Sequence, residues 1–73
     1  MNRKYIVLII EGLLKQNKNQ KLHIVVYTNF YKFYNGFIIN YFDKDTISFT
    51  DDKLGYIIIP YSQIVNVEPF VEK

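Results

Sequence analysis

The sequence predicts a mainly β fold, an N-terminal α-helix followed by a small, five-stranded, strongly bent antiparallel β-barrel. Three observations predict it. The apolar period is helical at the start and changes to two from Leu22 onward. Turn residues then interrupt the β-branched and aromatic runs at short intervals. The corner Pro60-Tyr61-Ser62-Gln63 between two apolar runs is too short for anything but the tight bend of a closed barrel.

The 73 residues make one small domain, 1–73. A domain of this size buries only roughly 60% of the surface its unfolded chain exposes. The composition is 49% hydrophobic and 18% aromatic, more apolar surface than such a monomer readily hides, so the excess points to contacts between subunits. A residue usage poor in alanine and arginine and rich in Ile, Asn, Lys, Tyr and Phe also fits an AT-rich coding bias.

The helix is expected over about Arg3 to Gln16 within segment 1–16. Ile6, Ile9, Ile10, Leu13 and Leu14 fall on one helical face, Asn2 can cap the start and Lys15 suits the negative end of the dipole. Tyr5 to Ile10 is β-branched enough to compete as a strand. The apolar run is too short to span a bilayer, and Glu11 breaks it where a signal peptide needs continuity. Membrane attachment is not expected, and the absence of cysteine favours a cytoplasmic setting.

Residues 17–21 read as a polar linker and 22–70 as the barrel. Strands are expected at Leu22 to Thr28, Lys32 to Phe42, Thr46 to Asp51, Gly55 to Pro60 and Val65 to Pro69. Thr46, Ser48 and Thr50 alternate with Ile47 and Phe49, giving the third strand one wet face, whereas Ile57-Ile58-Ile59 is apolar on both. Gly36 reads as a bulge or bend in the long second strand. Asp51-Asp52-Lys53-Leu54-Gly55 reads as a turn whose glycine takes positive φ. The expected interior is Ile24, Val26, Ile39, Ile47, Phe49, Ile58 and Val67, covered at one end by Ile9 and Leu13.

Charge is unevenly distributed. Arg3, Lys4, Lys15, Lys18 and Lys21 against Glu11 give residues 1–21 a charge of +4, and the remainder carries −2. That asymmetry suits an anionic partner for one face, although lysines that only keep a helix end soluble would give the same count. Catalysis is not expected. His23 lacks an evident partner, being better read as a strand residue satisfied by backbone or solvent, and no carboxylate pair or Gly-rich phosphate loop is present. No cofactor and no metal are implied by one histidine and no cysteine.

Gly36 in a bent second strand, Phe42-Asp43 opening the third, apolar Ile57 to Ile59 and Val65-Asn66-Val67-Glu68-Pro69 after a short corner together resemble the Sm-like (Sm, LSm and Hfq) family. The resemblance spans nearly the whole chain. It implies a bent small barrel, a homo-oligomeric ring of six or seven copies, and single-stranded RNA held between the loop after the Phe-Asp turn and the corner before the last strand. In those places stand Lys44 and, at the corner, Tyr61 and Ser62. The asparagine of many members is Ile47 here, and Pro60-Tyr61 replaces the usual basic pair.

By chemistry, Lys44 can meet a phosphate and Tyr61 can stack a base, while Lys15, Lys18 and Lys21 supply affinity without sequence preference. Tyr61 can equally pack against a neighbouring subunit, and Asp43 is a turn-forming acceptor. Phe30, Tyr31, Phe33 and Tyr34 form an aromatic cluster suited to packing or to stacking. The leading expectation is therefore an Sm-like RNA-binding ring. The alternative is a protein-interaction or assembly module that keeps the barrel and lacks the RNA pocket.

Overall fold

The computed structural model describes residues 3–41 and 45–71. In chain order they form α1 (Arg3–Gln16), β1 (Leu22–Tyr27), β2 (Tyr31–Asn40), β3 (Thr46–Asp51), β4 (Gly55–Pro60), a 3-10 turn (Tyr61–Gln63) and β5 (Ile64–Pro69). The expected Asn2 cap, the Phe42-Asp43 turn and Lys44 lie outside the described residues.

The strands make one antiparallel sheet in the order β4-β3-β2-β1-β5. The expected closure is not made by hydrogen bonding, since β4 and β5 are the two edges of the ladder. The reason lies at the corner. Pro60 is extended (φ −65, ψ 136), and the Ile64 N–H bonds back to the Tyr61 carbonyl. This single 3-10 turn redirects the chain across the open side instead of folding it into a hairpin, and α1 packs there against β5 and the turn.

The core joins helix to sheet. Ile6 and Ile10 from α1 are buried with Leu22, Ile24, Val26, Ile47, Phe49, Ile59, Tyr61, Ile64 and Val67. Burial of one such aliphatic side chain contributes about 1.5–3 kcal/mol. Ile9 and Leu13, expected to cover the end, pack against this core while remaining partly exposed. Two interior expectations are overturned. Ile39 is 55% exposed and Ile58 57% exposed.

Strand register explains both. Ile59 pairs with Ile47 and Ile57 with Phe49 on the inner face, which turns Ile58 outward opposite Ser48. In β2 the register shifts between Ile38 and Asn40, so the irregularity falls at Ile39 and not at Gly36. Gly36 has a different task. A Cβ built there would lie 1.8 Å from the Thr50 carbonyl oxygen, so the glycine permits close approach of β2 and β3.

The β3–β4 turn is built as its residues suggest. Gly55 has φ 77, and Asp51 is buried. The Asp51 carboxylate accepts the N–H groups of Lys53 and Leu54, both at 2.9 Å, and that of Asn35 at 3.1 Å. Burial alone would raise its pKa. The backbone N–H groups of Leu54, Lys53 and Asn35, with the Lys53 charge, outweigh burial and hold it below the ordinary 3.8.

Candidate nucleic-acid interface

The basic segment runs past the end of α1 into the turn that leads to β1. The Asn17 N–H closes the helix on the Leu13 carbonyl at 3.2 Å, and Asn17 then folds a turn by accepting the Asn19 N–H on Oδ1 at 3.1 Å and the Gln20 N–H on its carbonyl at 3.2 Å. This turn returns the chain toward β1 and leaves Lys15 and Lys18 exposed. Between them and the end of β2 lies a groove of about 490 Å³ lined by Glu11, Leu14, Lys15, Lys18 and Tyr41. Its volume is within the range of ligand pockets.

Tyr41 is half-buried and immediately follows β2. Its carbonyl accepts a hydrogen bond from the Tyr61 hydroxyl at 2.5 Å. The Tyr61 N–H donates to the Asp45 carbonyl at 2.9 Å, so the corner is tied to both ends of the β2–β3 connection. A tyrosine and two lysines lining one groove is the combination that single-strand binders use for base and phosphate.

The expected site residues are redistributed. Tyr61 is 3% exposed, so the stacking platform expected of it is not available. The cause is the 3-10 turn, which packs under α1 and drives the ring into the core while the hydroxyl finds a backbone acceptor. Lys21 is also committed elsewhere, as an ion pair with Asp52 and over the Phe70 ring, 4.4 Å from its centroid. It belongs to a clasp joining β1, the β3–β4 turn and the residue after β5, where the Phe70 N–H meets the Lys21 carbonyl. Ser62 is exposed on the corner and does not line the groove. Lys15 and Lys18 remain, and the residue brought to them is Tyr41, which the sequence reading passed over. Its signal was its place directly before Phe42-Asp43 in the sequence.

His23 is satisfied by a side chain, contrary to the expectation of backbone or solvent. Its Nδ1 lies 2.5 Å from Asn35 Oδ1, its partner across β1 and β2, and its ring is tilted on Phe33 at 5.2 Å. A second groove, of about 440 Å³, runs beside Tyr31, Phe33, Lys53 and Leu54. Phe30, Tyr31 and Phe33 are all more than half exposed, whereas Tyr34 packs against the core. The cluster thus divides between surface and packing. Among the described residues no group of three or more His, Asp or Glu could hold a metal ion, and no helix is long and apolar enough to cross a membrane. No protein-family model, curated protein or solved structure matches the chain.

Proposed function

We propose that this chain is an Sm-like protein that binds single-stranded RNA, with its copies assembled head to tail into a ring. The observation that carries the RNA reading is the groove in which Lys15 and Lys18 face Tyr41. The lysines take phosphates without regard to sequence, and the tyrosine supplies an aromatic side chain for one base. Two open edges of equal length, β4 and β5, support the assembly, because pairing one copy's β4 with the next copy's β5 removes unpaired backbone groups from both. A ring then multiplies weak contacts with one strand.

The test is salt-dependent binding of a uridine-rich or adenine-rich RNA. Changing Lys15 and Lys18 together to glutamine should weaken binding and lower the slope of log affinity against log salt by about 1.4, from about 0.7 per lost phosphate contact. Lys21→Gln should change the slope less, because that lysine is paired with Asp52 and lies outside the groove.

The buried Tyr61 and the committed Lys21 favour a second reading, an assembly module without an RNA pocket. Undiminished oligomer formation with no RNA binding at low salt would select it.

A further inference from the structure

The groove holds one group that a purely phosphate-binding surface has no use for. Glu11 lines it beside Lys15, Lys18 and Tyr41, is exposed, and is held in no ion pair by a described residue. It is also the one carboxylate of residues 1–21. A carboxylate repels phosphate, so it would weaken a site built for the backbone alone. It can still accept hydrogen bonds from a base edge.

We infer that Glu11 makes this groove selective for guanine, an inference that rests on the proposed binding of RNA there. A carboxylate offers two parallel acceptors and no donor, the arrangement that matches a guanidinium fork. Among the bases, the Watson–Crick edge of guanine presents two adjacent donors, N1–H and the N2 amino group. Adenine and cytosine each set one amino donor beside a ring-nitrogen acceptor, which a carboxylate repels. Uracil flanks its single N3–H with two carbonyl oxygens. With the base stacked on Tyr41 and the flanking phosphates on Lys15 and Lys18, Glu11 is the groove residue able to tell one base from another.

The experiment uses fluorescence anisotropy of short uridine-context RNAs carrying guanosine, inosine or adenosine at one position. Inosine keeps N1–H and lacks the N2 amino group. The wild-type chain should bind the guanosine oligomer about five- to a hundredfold more tightly than the adenosine one, with inosine between them. Glu11→Gln should abolish that order while leaving the adenosine oligomer bound as well as before or better. Equal affinity of the wild type for the three RNAs, or an order that survives Glu11→Gln, overturns the inference and leaves the groove standing. If the double lysine variant binds RNA as the wild type does, the groove reading and this inference fall together.

Discussion

The Tyr61 hydroxyl donates to the Tyr41 carbonyl across 2.5 Å, fastening the corner between β4 and β5 to the end of β2. Tyr61→Phe removes this bond and keeps the buried ring. Urea denaturation should show a loss of about 0.5–1.5 kcal/mol. Tyr61→Ala also empties core volume and should lose about 3–5 kcal/mol.

The same pair separates packing from binding. Tyr61→Phe should leave RNA affinity largely intact, because its ring is inside the core. Tyr41→Leu should weaken RNA binding by about 1–3 kcal/mol, the worth of one stacked base. The reverse pattern in a titration would restore the corner as the stacking site.

Gly36→Ala tests the close approach of β2 and β3. The added Cβ would meet backbone, the Thr50 carbonyl at 1.8 Å, and backbone cannot swing aside as a side chain can. The strands must separate locally, so stability should fall by at least about 1–3 kcal/mol. A thermal midpoint equal to that of the wild type would contradict the β2–β3 register.

Acid should act partly through Asp51. Its folded pKa is depressed below 3.8, so its contribution is present above that value and disappears as pH falls below it through the folded pKa. Asp51→Asn, which turns an amide N–H₂ or a weaker acceptor toward three backbone donors, should destabilise the protein at neutral pH. It should also flatten the wild type's loss of stability below about pH 4. Parallel pH profiles for the two proteins would count against this assignment.

The proposed self-assembly would use the two sheet edges. The chain should sediment at micromolar concentration as one closed multiple of its 8.8 kDa mass. Ile58→Lys places a charge on the exposed face of edge strand β4 and should lower that mass without unfolding the subunit. A monodisperse wild-type monomer would remove the ring.

What the sequence made legible follows the strength of its local signals. The helix from Arg3 to Gln16 and the strands Thr46–Asp51 and Gly55–Pro60 stand where periodicity and the Asp51-to-Gly55 turn put them. The phase of β4 was hidden, because consecutive Ile57, Ile58 and Ile59 look alike whichever face is inward. The bulge was misplaced for a related reason. Glycine marks either a bend or a close contact, and only the partner strand shows that Gly36 is the latter.

The site was less legible than the fold. Lys21 was expected to be free because its partner Asp52 is distant in sequence and meets it only through the sheet. Tyr61 was misread because a tyrosine can bury its ring and still satisfy its hydroxyl, which required the Tyr41 carbonyl to be in place. That Tyr41 lines one groove with Lys15 and Lys18 depends on how α1 packs against β5 and the corner, a tertiary fact with no local signature.

Single-stranded RNA is proposed to enter the groove between α1 and the end of β2. The most direct measurement is a ¹H–¹⁵N NMR titration of the wild-type protein with short single-stranded RNAs at low salt. Perturbations should concentrate at Glu11, Leu14, Lys15, Lys18 and Tyr41 and recede as salt is added. An unchanged spectrum with every RNA, or changes confined to the groove beside Tyr31, Phe33 and Leu54, would contradict it.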